Sequence, residues 1–526
     1  MNQHQSSEPV TRSARWLAPM ISLAACLLAV AGAWLRPVWH DELYTLALSR
    51  LPVGELMAAL VVDSGPPLHY LLCHFLFVLV GWPEGSMLGT LMVRLPSVLA
   101  FAFIPWVVWK ARPISNRGEM WGPLLVVAWL PLLYFGTEAR AYALLALVNA
   151  LLWIRGPRWI ERGGRWTFCF AVLAACLPLL HYTGFMSFLL LPSLAFFVPP
   201  QRRRALVLTL ALAALPALAW MPVMLGAPVD SMGWVATGAG PGKPGLATVS
   251  VLAPAGPFPA LFEASGSPVP SWASVLVLGT LIGGAVLGAS RLRQSHDADS
   301  VDVSAAIRLT IALLPAVGVA VLALGGTPVY FAGRTESMVW ALAAALGGIL
   351  ILRLRPMARG IVAGPYVLVG GVVIVLWLAA LPTRPPSPGV EVGRAMASMV
   401  DASDRVVVAG LWQLEVRHGL AEGVLEASSG AAPIVDVETV PRSQAEHPGW
   451  LDREAAISPD VFDEAMALSE EAASSGRRIW LIWSPSLPLE NTFFPAFAGW
   501  RREKVAGSPI ITVDLLTPPA AEGGTS

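Results

Sequence analysis

The sequence carries little charge. Only 13% of its 526 residues are Asp, Glu, Lys or Arg, about half of the share that is typical of soluble domains. Hydrophobic residues make up 55%, and so few charges cannot cover the surface of one soluble globule of this size. The 35 basic and 35 acidic residues cancel, which excludes a net field that would recruit nucleic acid. Most of the chain is therefore expected to be solvated by lipid.

Cysteine is also scarce. The four cysteines, Cys26, Cys73, Cys169 and Cys176, all lie in apolar stretches, and none lies in the polar C-terminal segment. This excludes a disulfide framework or a cysteine-based zinc site in that segment. Cys169 and Cys176 share one helical face by their spacing, and we interpret them as small buried residues.

The sequence has no complete phosphate-loop or dinucleotide-binding motif. The stretch GAGPGKPG at 238–245 fails the phosphate-loop pattern because proline follows Lys243, where that pattern needs Ser or Thr. We interpret this stretch as a flexible outer loop that is able to close over a site. The strands expected near the C-terminus carry no G-x-G-x-x-G fingerprint.

Long apolar runs are what the sequence has instead. A helix needs roughly 20 apolar residues to cross a bilayer. By this criterion eleven spans are predicted, at 16–35, 92–109, 120–136, 138–154, 166–181, 182–199, 205–226, 272–290, 306–325, 338–354 and 361–381. The predicted fold class is thus an α-helical polytopic membrane protein. The first run lacks a cleavage pattern of small residues, so it is expected to be a retained anchor.

The distribution of basic residues predicts the topology. The stretch 67–81 is short for a span, and we interpret it as an interfacial or re-entrant helix. With the N-terminus inside, seventeen Lys and Arg residues then fall in inner loops. The outer loops have six, which are Arg36, Arg50, Arg94, Arg140, Lys243 and Arg334. This asymmetry follows the positive-inside rule and predicts that 36–91, 227–271 and 382–526 lie outside the cytoplasmic membrane.

The segment 382–526 follows a proline-rich hinge and is predicted to be a small soluble α/β domain. A helix is expected to begin with Ser458 as its N-cap and Pro459 as its first residue, and to end at Gly476. Strands are predicted from their β-branched residues at 405–411, 434–437, 478–483 and 510–516.

Two adjacent acids follow the first span. They are Asp41 and Glu42, in the segment WHDELY at 39–44. Adjacent helical residues point about 100° apart, so one acid can act as a base while the other orients it or binds a partner. The alternative is that the pair only places negative charge in the first turn of an interfacial helix that runs to about Leu60.

Other polar side chains are predicted on the same outer face. Asp63 precedes the short helix at 67–81, His69 lies within it, and Arg94 lies at the end of a span. The others lie in three outer turns: Glu138, Arg140 and Tyr142 in the first, His181 in the second, and Arg334 with Glu336 in the third. A polar cluster within or beside lipid is by default a hypothesis for a functional site.

The order of these motifs resembles the GT-C glycosyltransferases. The motifs are W-x-D-E-x-Y at 39–44, D-x-x-P-P-L-x-Y at 63–70, R-L-P-S at 94–97 and E-A-R-A-Y at 138–142. The chain is most similar to the bacterial branch that groups with protein O-mannosyltransferases and the aminoarabinose transferases of lipid A. The resemblance covers roughly 36–182 by motif and the later helices by layout.

The resemblance implies an inverting transfer of a sugar from a polyprenyl-phosphate carrier to a lipid, glycan or protein acceptor of the cell envelope. It implies that Asp41 is the catalytic carboxylate and Glu42 its acidic neighbour. The lipid A branch has Glu-Lys before its Pro-Pro, whereas this chain has Ser64 and Gly65. This departure argues against a lipid A acceptor and leaves the cation for the donor phosphate to come from elsewhere.

The residue types fit that chemistry. Asp41 is the candidate general base, and Arg94, Arg140 and Arg334 are candidates for clamping the leaving phosphate. His69 and His181 are candidates for contacts with the phosphate or the sugar, with a purely structural role as the alternative. A divalent cation, Mg or Mn, held by Asp41, Glu42 or Asp63 is a further hypothesis.

Two other function classes share these features. A transporter or flippase of a lipid-linked envelope intermediate would also need many spans and a polar face. It should carry ionisable residues near the bilayer midplane, whereas here they gather at the outer helix ends. A catalytically silent homologue that binds envelope glycans is the third interpretation.

Overall fold

The computed structural model describes residues 12–63, 65–81, 87–111, 120–226, 254, 271–294, 300–324, 334–410, 412–427, 437–443, 458–487, 489–507 and 510–519. The glycine-rich stretch at 238–245 and nearly all of 227–271 lie outside these residues. The chain forms two compact units, each built from separated stretches of sequence. The first comprises Met1–Arg36, Gly65–Leu72 and Arg94–Thr383, and the second comprises Pro37–Ser64, Cys73–Val93 and Arg384–Ser526.

Helices form most of the chain before residue 384. Their bounds are α1 Arg12–Leu35, α2 His40–Arg50, α3 Val53–Asp63, α4 Leu68–Val80, α5 Met87–Trp109, α6 Trp121–Val127, α7 Leu130–Gly136, α8 Tyr142–Arg162, α9 Arg165–Leu180, α10 Tyr182–Leu190, α11 Pro200–Leu225, α12 Ser271–Gln294, α13 Ser300–Ala312, α14 Leu314–Leu324, α15 Arg334–Ile351 and α16 Pro356–Ala380.

The length and apolar composition of these helices fit a membrane protein. Among the described residues, four helical stretches are long and apolar enough to cross a bilayer: Trp16–Leu35, Leu88–Trp109, Pro200–Leu225 and Pro356–Met396. Each of the eleven predicted runs lies on at least one described helix. The count of eleven crossings stays a prediction.

Three of the predicted runs are not single α-helices. The run 120–136 is interrupted between α6 and α7, the run 306–325 between α13 and α14, and the run 182–199 continues beyond α10 as a 3-10 helix at Leu191–Phe196. In each case a proline follows the interruption by one or two residues, at Pro131, Pro315 and Pro192. A proline has no N–H for the carbonyl four residues earlier, which weakens the helix there.

The first unit is held together by buried aromatic and polar contacts between its helices. Trp129 stacks on Trp340 with ring centroids 4.5 Å apart, and the Trp340 indole N–H donates to the Leu125 carbonyl. On α8, the Asn149 amide donates to the Met338 carbonyl at 2.9 Å. These contacts fix α15 against α6 and against α8, the helix that follows the turn with Glu138 and Arg140.

The second unit contains a five-stranded sheet in the order β2-β1-β3-β5-β4. The strands are β1 Arg405–Ala409, β2 Val437–Val440, β3 Ile479–Trp483, β4 Arg501–Gly507 and β5 Thr512–Thr517. The strands β2, β1 and β3 are parallel, whereas β5 and β4 pair antiparallel at the other side. The strands β1, β3 and β5 coincide with predicted ones at shifted ends. The strand predicted at 434–437 meets β2 only at Val437, its other residues lie outside the described ones, and β4 was not predicted.

Helices cover both faces of this sheet. They are α17 Pro388–Met396, α18 Gln413–Ala427, α19 Asp460–Ser474 and the short α20 Leu489–Thr492. Side chains of β1 alternate between the faces, because Val407 packs with Val461 of α19 and Val408 packs with Val416 of α18.

Two predicted helix boundaries were wrong. The helix expected from Ser458 begins at Asp460 with Pro459 as its N-cap, so the start lies one residue later, whereas Gly476 with φ +64° ends it as predicted. The interfacial helix expected to reach about Leu60 is broken after Arg50. Leu51 is extended because it precedes Pro52, and a residue before proline avoids the helical conformation.

Candidate functional site

The acid pair lies in the first turn of α2. Asp41 and Glu42 follow His40, the first residue of the helix, and the N-cap residue Trp39 makes no side-chain cap. Negative charge in a first turn is favoured by the helix dipole. Glu42 is almost fully buried and Asp41 is half-buried. Of the two carboxylates, Asp41 is thus the more accessible.

The first turn of α2 is supported by hydrogen bonds along the helix and by burial of most of its surface. The Thr45 hydroxyl donates to the Asp41 carbonyl at 2.9 Å, and the Ser49 hydroxyl donates to the Thr45 carbonyl. Leu43 and Tyr44 are also buried. A helix that is buried on nearly all sides holds its side chains in few orientations.

The carboxylates of the hypothesised metal site come from two helices. Asp63 ends α3, whereas Asp41 and Glu42 begin α2. Within the described part of the chain, no three His, Cys, Asp or Glu side chains lie close enough together to hold a metal ion. A divalent cation at Asp41, Glu42 or Asp63 stays a prediction.

The R-L-P-S and E-A-R-A-Y motifs contact each other in the first unit. The Ser97 hydroxyl donates to the Arg140 carbonyl at 2.7 Å, and the Arg140 N–H donates to the Glu138 carbonyl. Residues 137–141 form the tight turn between α7 and α8, which confirms the turn predicted there. The Arg140 guanidinium donates to the Tyr70 hydroxyl at 3.2 Å. The charge of Arg140 also acts on the buried His69 imidazole.

A second group of predicted residues lies around His181. The Arg334 guanidinium lies 5.3 Å from the Tyr142 ring centroid, and the Tyr142 and His181 rings are 5.1 Å apart. The charges of both Arg140 and Arg334 act on His181. The structure thus brings together five predicted residues in what we call the cationic cluster: His69, Arg140, Tyr142, His181 and Arg334.

The orientation of His181 follows from its position between α9 and α10. Its Nδ1 accepts the Thr183 backbone N–H at 3.2 Å and lies 2.8 Å from the Thr183 hydroxyl. An Nδ1 that accepts a backbone N–H carries no proton, so the neutral imidazole has its proton on Nε2. His181 therefore presents an N–H donor at Nε2.

Arg94 and Glu138 make contacts near the end of α1. The Arg94 guanidinium is buried and donates to the backbone carbonyls of Ala33 and Arg36, the latter at 3.0 Å. Glu138 is fully buried and lies 3.9 Å from the guanidinium of Arg36. Arg36 in turn donates to the Tyr134 hydroxyl at 2.8 Å. These contacts support the chain where it leaves the first helix.

Sequence reasoning missed Arg36, Tyr70 and Ser97 as parts of this region. Tyr70 and Ser97 are the last residues of the motifs at 63–70 and 94–97, so these motifs could have marked both as candidate site residues. Arg36 is the first charge after the first span, which was a weaker signal.

Glu415 is a further residue that sequence reasoning missed. Its carboxylate Oε1 lies 3.9 Å from Nδ1 of His40, and both side chains are mostly buried. Burial raises the pKa of Glu415 to about 7, although the Ser387 side chain and the backbone N–H of Gly389 act in the opposite direction. No motif marks Glu415, and the two residues are separated by most of the chain.

Over most of its length, the fold of this chain is similar to that of ArnT, in agreement with the resemblance that the motifs had suggested. Two crystal structures of ArnT from Cupriavidus metallidurans are similar to it, each with a TM-score of 0.58 and 12% sequence identity. The structure bound to undecaprenyl phosphate matches 94% of this chain and 97% of its own, and the apo structure matches 96% and 98%. No protein-family model matches the sequence, and no curated protein matches it either.

Proposed function

We propose that this protein is an integral-membrane inverting glycosyltransferase. It moves a sugar from a polyprenyl-phosphate carrier to a lipid, glycan or protein acceptor of the cell envelope, on the outer side of the cytoplasmic membrane. The observation that carries the proposal is the cationic cluster within a fold similar to that of ArnT. In this cluster the Arg334 guanidinium lies 5.3 Å from the Tyr142 ring centroid, the Tyr142 and His181 rings are 5.1 Å apart, and Arg140 donates to the Tyr70 hydroxyl.

The composition of the cluster suits a lipid monophosphate. Arginine binds phosphate oxygens through a planar fork of N–H donors, and two guanidinium groups offset the charge of one phosphate. Nε2–H of His181 and the hydroxyl of Tyr142 are additional donor groups. Of the two ArnT structures, one is bound to undecaprenyl phosphate, a carrier of this chemical class.

The reaction assigns a separate role to each group. An acceptor hydroxyl oxygen forms a bond to C1 of the sugar, and Asp41 takes the hydroxyl proton. The bond between C1 and the phosphate oxygen breaks, and its electron pair stays on that oxygen. Arg140 and Arg334 stabilise the negative charge that develops on the leaving phosphate. Attack opposite to the leaving group inverts the anomeric centre.

The general-base role is tested by transfer from a radiolabelled polyprenyl-phosphate sugar to an envelope extract, with the full chain in nanodiscs. Asp41→Asn should lower the rate by about 100-fold or more, because general-base catalysis contributes at least that much. Glu55→Gln is the matched control, since Glu55 is an exposed acid in the first turn of α3. Retained transfer in D41N would remove Asp41 as the base.

The same preparations test the cationic cluster. Arg334→Ala should weaken binding of polyprenyl phosphate by about tenfold or more, because charged hydrogen bonds to phosphate are lost. Arg203→Ala, on the exposed start of α11, is the control that removes an arginine elsewhere. Unchanged binding in R334A would contradict the assignment of the cluster to phosphate. Movement of the intact lipid without formation of a new glycosidic bond would identify a transporter instead.

A further inference from the structure

The helix with the acid pair packs against a helix from the C-terminal part of the chain. Within the second unit, α2 contacts both α3 and α18. In this contact, Nδ1 of His40 lies 3.9 Å from Oε1 of Glu415. That distance is too long for a direct hydrogen bond, but it permits a charge interaction or one bridging water.

The backbone around Glu415 is shaped to hold its carboxylate. The Gly389 N–H at the start of α17 donates to Oε2 at 3.2 Å. A Cβ at position 389 would lie 2.5 Å from that oxygen, so only glycine leaves room for it. One carboxylate oxygen is thus fixed by the C-terminal segment, and the other faces His40.

We propose that Glu415 is a positioning residue for the transfer reaction, because it fixes His40 and thereby the first turn of α2, from which Asp41 and Glu42 extend. The catalytic consequence of this inference rests on the proposed function. The structural part, that Glu415 orders α2, does not depend on the proposed function.

Burial of Glu415 supports a role other than stability. A buried carboxylate costs free energy unless its partners compensate for the lost hydration, and here the pKa stays raised despite them. A perturbed ionisable group of this kind is found preferentially at functional sites.

Glu422, two turns further along α18, is a natural control. Its carboxylate pairs with Arg394 at 2.8 Å and with His418 at 3.3 Å, all within the C-terminal segment. The hydrogen bonds and charges of these partners hold the pKa of Glu422 at about 2, although burial acts to raise it.

Other charged groups lie on α18 and on the elements packed against it. They are Asp41, Glu42 and Arg50 on α2, Glu391 on α17, Arg417 on α18 itself and Glu438 on β2.

The test compares Glu415→Gln with Glu422→Gln in the full chain in nanodiscs. E415Q should lower kcat by about tenfold to 100-fold with little change in donor KM, because small displacements of a catalytic group have effects of this size. Amide hydrogen exchange of the peptide that covers α2 should become faster in E415Q and stay unchanged in E422Q. The melting temperature of E415Q should not fall, since the substitution removes a buried charge.

The coupling is checked by combining E415Q with His40→Ala. If Glu415 acts through His40, the double variant should be no slower than H40A alone. Equal kcat and equal α2 exchange in E415Q and E422Q would overturn the inference. Absence of transfer in the unmodified protein would overturn the proposed function alone, because hydrogen exchange would still decide whether Glu415 orders α2.

Discussion

Arginine side chains that the sequence grouped together have different surroundings in the structure. Arg140 and Arg334 act on His181 beside aromatic rings, whereas Arg94 donates to two backbone carbonyls near the end of α1. The carbonyls at a helix C-terminus lack partners within the helix, and a guanidinium satisfies two of them at once. For this reason the cationic cluster, rather than Arg94, is the stronger basis for a phosphate site.

Burial of Glu415 predicts a pH dependence of stability. Its pKa in the folded chain is raised to about 7, so the folded state binds this proton more tightly than the unfolded state does. The contribution of this group to stability is therefore complete at low pH and decreases as the pH rises from the ordinary carboxylate range to about 7. The loss amounts to roughly 3 kcal/mol by linkage.

The measurement is the melting temperature of the full chain at about pH 5 and about pH 8, with E415Q alongside, because only the ionisation of residue 415 differs between them. We expect the unmodified protein to lose more stability than E415Q as the pH rises. Identical pH profiles would show that Glu415 does not titrate in this range.

At the scale of secondary structure, the sequence predicted where helices lie better than where they are interrupted. Apolar runs located the helices because lipid requires long stretches without charge. The interruption after α6 depends in addition on the backbone N–H of Leu130, which donates to the carbonyl of Pro254 at 2.9 Å. Several other helices contain prolines and continue through them, so proline alone does not predict a break.

The missed strand β4 has a different cause. It begins with Arg501, Arg502, Glu503 and Lys504 and lies at the edge of the sheet. Charge on an edge strand prevents pairing with another chain. That charge also removes the apolar pattern by which the other strands were found.

Close packing between α16 and α6 predicts a difference between two adjacent glycines. A Cβ at Gly370 would collide with the backbone of Ala128, whereas a Cβ at Gly371 would meet no atom within 4 Å. Gly370→Ala should therefore destabilise the protein by about 1–3 kcal/mol, as overpacking does. Gly371→Ala should be neutral or slightly stabilising, because alanine favours helix more than glycine does.

The two glycine variants are compared by their melting temperatures in the same detergent. Since both substitutions add one methyl group to neighbouring positions of α16, composition and location are matched. Equal melting temperatures would show that α16 and α6 are not in close contact at Ala128.

At the scale of the whole molecule, the side of the membrane on which each segment lies is a prediction from the basic residues. In a variant without the four native cysteines, single cysteines at Gly54, Ala473 and Gln201 test it, since all three positions are exposed. An impermeant maleimide added to spheroplasts should label positions 54 and 473. Position 201 should be labelled only after the membrane is permeabilised, and labelling from outside would reverse the predicted topology.

The site itself was predictable only in part. Motifs within 39–142 predicted the acid pair and the tight turn because the residues of each motif are close in sequence, and His181 was predicted from its place in an outer turn. Arg334 was recognised as a charge at an outer helix end. Glu415 and Gly389 gave no signal, because their contacts arise from packing of α17 and α18 on each other and of α18 on α2.

The second unit joins stretches from the beginning and the end of the chain. During synthesis, α2 leaves the ribosome long before α18 exists, and domains generally fold as units once their residues are available. The final environment of the acid-bearing helix can therefore form only after α18 has been synthesised. Assembly of the proposed catalytic region thus follows the synthesis of the helices that precede residue 384.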